Sequence, residues 1–148
     1  MAPVRIQRKR TKGWRMPDNT VSVTRPGVWG NPFDARLLGA TLAVEMFREL
    51  MRGFFDPGKL AHLTDEQFHT VYDAKNRWRR RLHCGVEYRS YARSVLRGKN
   101  LACFCALVDQ HGNYVPCHAD VLISIANDVP METVINENFR RAKGEAAQ

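Results

Sequence analysis

"NLACFCALVDQHGNYVPCHAD", residues 100–120, opens on a run that is apolar at odd and even positions alike. A strand with two apolar faces belongs at the centre of a sheet covered by helices, as in α/β proteins, rather than in a half-solvated antiparallel sheet. The run breaks at "DQHGNY", where Gly112 and Asn113 can adopt the positive φ of a turn. From His118 to Asn127 the chain then reads as a short helix burying Val121, Leu122, Ile125 and Ala126.

Working outward, helices precede the central strand. Residues 86–97 place Tyr88, Tyr91, Ala92 and Val95 on one side and stop at Gly98, a natural residue to follow a helix C-terminus. Upstream, "TDEQ" matches a capping box, threonine followed three residues later by glutamine, and predicts a helix from Thr64. Its buried face is expected to comprise Phe68, Val71, Tyr72, the stem of Lys75, Trp78 and Leu82. Residues 35–52 read as one amphipathic helix with Asp34 as N-cap and Leu37, Leu38, Thr41, Val44, Phe47, Leu50 and Met51 on its inner face. Before it, "TVSVT" is β-branched apart from Ser22 and feeds the loop "RPGVWGNPF". "VRIQRKR" alternates Val4 and Ile6 with polar residues, which predicts a short edge strand with its basic side chains outward. Strands alternating with helices give an α/β fold: a single domain with a small, partly parallel sheet flanked by helices. The expected divisions are a basic arm over 1–15, the α/β domain over 16–128, and a C-terminal helix with a frayed tail over 129–148.

Composition limits the functional classes. With 44% hydrophobic and 26% charged residues, the chain is neither disordered nor membrane-embedded. No apolar run approaches the roughly 20 residues that span a bilayer, and "MAPVRIQRKR" lacks a signal peptide's apolar stretch, so a cytoplasmic protein with no membrane partner is expected. In that compartment four cysteines serve as thiols or metal ligands rather than disulfides. A formal charge of +8 points to a polyanionic partner. The charge is concentrated in residues 1–15 and in "RWRRR", with Arg77, Arg79, Arg80 and Arg81.

Three of the four cysteines fall in the opening stretch. On an extended strand Cys103 and Cys105 project from one face, and the turn returns Cys117 and His118 at a helix start. Three thiolates and an imidazole form a complete tetrahedral zinc set, so Cys103, Cys105, Cys117 and His118 are the candidate metal ligands and zinc the candidate cofactor. Their spacing is not that of the common paired knuckles. Two alternatives stay open: cysteines that only fill the core, and catalysis by Cys117, His118 and Asp120 at a helix N-terminus that favours a thiolate. Asp120 has an equally ordinary explanation as a first-turn acid. Cys84, beside His83, is expected in packing or at the surface.

The loop at 25–33 lies where α/β proteins bind ligands, after a strand and before a helix. Arg25 and Gly30 would suit a phosphate, and Trp29 with Asn31 a base. Arg8, Lys9, Arg10, Lys12 and Arg15 surround Trp14, combining charge with stacking as single-stranded nucleic-acid binders do. The same arm could simply be a solvated extension, with Trp14 packed on the domain.

Together, "GWRMP", "VTRPGVWGNPF" and "LRGKNLACFCALVDQHGNYVPCHADVLISIAN" make the chain resemble the family of small bacterial and phage proteins catalogued as domain of unknown function 4326. That family has glycine where this chain has Thr24, and a shorter connection where it carries "VDQHGNYV"; Cys103, Cys105, Cys117, His118 and Asp120 keep matching places. The resemblance implies that the two motif blocks form one site and makes nucleic acid or nucleotides a sensible partner class, with no activity attached. The expected function is a metal-binding, basic α/β protein for a nucleotide or nucleic-acid phosphate. The alternative is an enzyme of nucleotide or modified-base metabolism using Cys117, His118 and Asp120 with Arg25 and Asn31.

Overall fold

The computed structural model describes residues 2–53, 55–82 and 85–144. Strands β1 (Arg5–Gln7), β2 (Thr20–Ser22) and β3 (Asn100–Cys103) form a sheet in the order β1-β3-β2. Both outer strands run parallel to β3, with Ile6 opposite Ala102 and Val21 opposite Leu101. The central strand is therefore the one with two apolar faces, and Leu101 and Ala102 are fully buried. The ladders run on beyond the strands: Arg8 N–H donates to the Cys103 carbonyl at 2.8 Å and Val23 N–H to that of Ala102 at 2.9 Å. Both neighbours are thus tied to the end of β3 that carries the cysteines.

Helices α1 (Ala35–Leu38), α2 (Ala40–Arg52), α3 (Pro57–Leu60), α4 (Asp65–Leu82) and α5 (Gly85–Leu96) lie between β2 and β3; α6 (His118–Asn127) and α7 (Met131–Ala142) follow. The buried helix α6 packs on β3 and against α2, α5 and α7. Phe33, Met46, Phe47, Leu96, Leu122 and Ile123 fill the core around it. Among the described residues no helix is long and apolar enough to cross a membrane.

Several expectations need correction. The single helix over 35–52 is two, because Gly39 takes φ 84° and ψ 154°, a conformation open to glycine that ends α1. The break shifts the helical phase, leaving Leu37 and Thr41 exposed and bringing Ala43 and Met46 into the core. In α4 the Thr64–Gln67 capping box forms, at 2.9 and 3.1 Å. Its buried stripe is Val71, Ala74 and Trp78, whereas Phe68 and Tyr72 are 41% and 50% exposed and stack on each other. The reason is a shortage of neighbours: α4 packs chiefly on α1 and α5, which cover one narrow stripe. In α5 the buried set is Tyr88, Ala92 and Leu96, with Tyr91 and Val95 at the exposed edge. The largest surprise is Arg5, which points inward and is 3% exposed. His83, Cys84, the Leu82 side chain and residues 145–148, expected to fray, lie outside the described residues.

Candidate metal centre

Cys117 is the N-cap of α6, with extended backbone at φ −142° and ψ 155°. Its Sγ accepts from Ala119 N–H at 3.5 Å, and the Asp120 carboxylate accepts from Cys117 N–H at 3.0 Å. This reciprocal capping box holds the first turn so that Cys117 and His118 face the end of β3. There Cys103 Sγ meets Cys117 Sγ at 3.2 Å, and Cys117 Sγ lies 3.4 Å from His118 Nδ1. The three ligand atoms lie within 4.8 Å of one another, and all three residues are buried. For metal–sulfur bonds of about 2.3 Å the edge of a tetrahedron is about 3.8 Å, so a slight spreading of this Cys/Cys/His group could hold a metal ion.

The imidazole is prepared for that role. His118 Nε2–H donates to the Val23 carbonyl at 2.7 Å, and because a carbonyl only accepts, the proton is on Nε2 and the Nδ1 lone pair faces the sulfurs. Burial holds the His118 pKa below its ordinary value, which also favours the neutral ring. The Cys103 and Cys105 thiols, with the Arg5 charge nearby, favour the thiolate of Cys117, while Cys103 is held in the protonated form.

Behind the cluster lies a buried polar network. The Asp120 carboxylate accepts from Tyr114 Oη–H at 2.8 Å and from Asn138 Nδ2–H at 2.9 Å, and sits 3.7 Å from Arg5 Nε. Asn138 Oδ1 accepts from Arg5 N–H at 3.0 Å, and Arg5 Nη2 donates to the Val115 carbonyl at 2.8 Å. Burial raises the Asp120 pKa against the pull of Arg5 and these donors. Asp120 is therefore fully engaged in holding the helix start and the Arg5 guanidinium. Arg5, Tyr114 and Asn138 carried no sequence signal, since each looks like a surface residue of its element.

Residues 6–128 match the family described as a domain of unknown function (DUF4326). The chain belongs to that family. No curated protein and no solved structure matches it. The family region contains the whole Cys103–Asp120 cluster and the loop at 25–33, whereas Arg5 and α7 with Asn138 lie just outside it.

Within the family region, Cys105 departs from expectation. Because β3 ends at Cys103 and the chain then bends, the two thiols do not project side by side. Cys105 N–H donates to Cys103 Sγ at 3.2 Å, and the residue lies at the exposed rim, outside the group of three. All four candidate ligands nevertheless line one cavity of about 380 Å³, together with Arg10 and Arg25.

The loop residues divide. Arg25 is half exposed at the cavity and 3.6 Å from Asp34. Trp29, expected to offer a face to a base, is buried and stacked on Tyr91, with ring centroids 5.1 Å apart. Asn31 accepts from Phe33 N–H at 2.9 Å and donates to the Ala43 carbonyl at 3.2 Å, which ties the loop to α2. A Cβ at Gly30 would lie 2.7 Å from Arg25 Cγ and 2.9 Å from Arg25 Cα. The side chain can move, but the backbone cannot without shifting the loop. Gly30→Ala should cost about 1–3 kcal/mol in a urea titration, and unchanged stability would show that the loop yields freely.

In the basic arm, Arg8 donates to Ser22 Oγ at 2.9 Å and to Thr24 Oγ1 at 3.0 Å. The Arg8 and Arg10 guanidiniums lie 4.6 and 4.0 Å from the Phe104 ring centroid. Arg10 is thereby brought to the cavity, while Lys9, Lys12 and Arg15 are exposed and Trp14 is half-buried.

Proposed function

We propose that the protein binds zinc through Cys103 Sγ, Cys117 Sγ and His118 Nδ1, with Cys105 supplying a fourth ligand from the rim, and a nucleotide or nucleic-acid phosphate in the adjoining cavity. The observation that carries this reading is that three buried donors converge on the wall of a cavity also lined by Arg10, Arg25 and Arg36. Soft sulfur and imidazole donors suit zinc, and guanidiniums at the cavity suit phosphate oxygens. Asp34 offsets part of that charge, lying 2.8 Å from Arg36 and 3.6 Å from Arg25, which leaves one cation of the pair uncompensated.

Calorimetric titration with thymidine 5′-monophosphate tests the phosphate part. Arg25→Ala should weaken binding about tenfold, as expected for loss of a charge-assisted contact. Undetectable binding to the unaltered protein would remove this part of the reading. The exposed arm supplies salt-dependent affinity for longer strands, so exchanging Lys9 and Lys12 for glutamate should flatten the salt dependence of oligonucleotide binding. Deleting residues 1–15 would not test this, because it removes β1.

A second reading, an enzyme with Cys117 as nucleophile and His118 as base, is favoured by the 3.4 Å approach of Nδ1 to a sulfur that favours its thiolate. Asp120, engaged by Tyr114, Asn138 and Cys117 N–H, is then a positioning residue, while Arg25 and Asn31 would orient substrate. Alkylation by iodoacetamide separates the two: fast, selective modification of Cys117 supports the enzyme, and thiols protected until a chelator is added support the metal.

A further inference from the structure

A second cavity, of about 370 Å³, lies on the other side of the 25–33 loop, between that loop and α4. Arg25 lines both cavities. From α4 come Arg77 and Arg81, one helical turn apart, which face the cavity with Trp78 between them. Arg81 Nη2 donates to the Pro26 carbonyl at 2.7 Å and so fixes the loop on the helix. Arg77 is exposed, and among the described residues no carboxylate lines this second cavity. Trp78, 7% exposed, supplies the apolar wall between Arg77 and Arg81.

Each cavity has the volume of a small-molecule pocket, and the two meet at one cation. We infer that the site takes two consecutive nucleotides of a single-stranded nucleic acid, one in each cavity, with the linking phosphate on Arg25. This rests on the phosphate reading of the metal-side cavity and extends it to a second subsite formed by Arg77, Trp78 and Arg81. The preference for a strand over a free dinucleotide comes from the number of further exposed cations, Lys9, Lys12, Arg79 and Arg80. A polymer samples more such charges than a small molecule does.

The test compares affinities of the full chain for thymidine 5′-monophosphate, 5′-phosphorylated dithymidylate and dithymidine pyrophosphate at fixed salt. Dithymidylate should bind about tenfold tighter than the monophosphate, the gain typical of one additional held nucleotide. Arg77→Ala should remove most of that gain while leaving monophosphate binding unchanged. Equal affinity for monophosphate and dithymidylate overturns the second subsite and leaves the phosphate reading standing. Failure of the monophosphate to bind overturns both. Tighter binding of the pyrophosphate-linked compound overturns the assignment to a single strand.

Discussion

Cys117→Ser should abolish metal retention: on the zinc reading the unaltered protein should carry about one equivalent of zinc after purification, and the variant none. The substitution isolates coordination from helix capping. Serine is itself a preferred N-cap, so Ala119 N–H and the Asp120 side of the box keep their partners, while a poor zinc ligand replaces a thiolate. Cys103→Ser should behave alike, and Cys105→Ser should weaken the metal without expelling it, because Cys105 lies outside the group of three. Since the group is assembled only in the folded chain, metal affinity is stability. At a free concentration 100 times the dissociation constant, the ion contributes about 2.7 kcal/mol, and a strong chelator should then lower Tm by roughly 5–10 °C for a chain of this length. Elemental analysis together with a melting curve in chelator checks both. Protein free of transition metal and indifferent to the chelator would end the metal reading and leave Cys103 and Cys117 as core residues in contact.

The second large effect is expected at Asp120. Replacing it with alanine removes the carboxylate 3.7 Å from a buried guanidinium and strands the donors of Tyr114, Asn138 and Cys117 N–H. Removing one partner of a buried ion pair typically costs about 3–5 kcal/mol, a large share of the 5–15 kcal/mol that holds an ordinary domain together. Asp120→Asn keeps the shape and one acceptor oxygen, and should cost about 1.5–3 kcal/mol, the value of hydrogen bonds to a charged group. Equilibrium denaturation in urea measures both. An Asp120→Asn protein as stable as the unaltered one would mean that the carboxylate is not holding Arg5, and would return it to consideration as an acid or base.

What could be read from the chain depended on whether the deciding contact was local. The capping box at Thr64 and Gln67, the two-faced strand β3 and the helix from His118 are set by neighbours within a turn or a strand, and they form, although β3 ends at Cys103 and the expected strand ran on to Val108. The convergence of Cys103, Cys117 and His118 was legible because a turn signal at Gly112 and Asn113 sends the chain back between the strand and the helix. The break at Gly39 was not, since one glycine inside an amphipathic pattern is ordinarily tolerated within a helix. Arg5 and Asn138 were hidden for a stronger reason. Their burial is set by each other and by Asp120, across most of the chain, and nothing in the strand or helix containing them distinguishes an inward charge from an outward one. Trp29 misled because an exposed stacking face and a buried aromatic contact are written with the same residue.

The hydrogen bond from Arg5 to Asn138 joins residues 133 apart, and β1 pairs with a strand that is made some ninety residues later. Such contacts become available only after most of the loop-closure entropy has been met, so they are expected to form late in folding. During synthesis the helix start at Cys117 and the end of β3 can approach each other early, but the groups that brace them arrive from the two ends of the chain. The cluster should therefore reach its final rigidity only once α7 has closed against β1, and a chain stopped short of Asn138 would carry the sulfurs without the Asn138 bonds to Asp120 and Arg5.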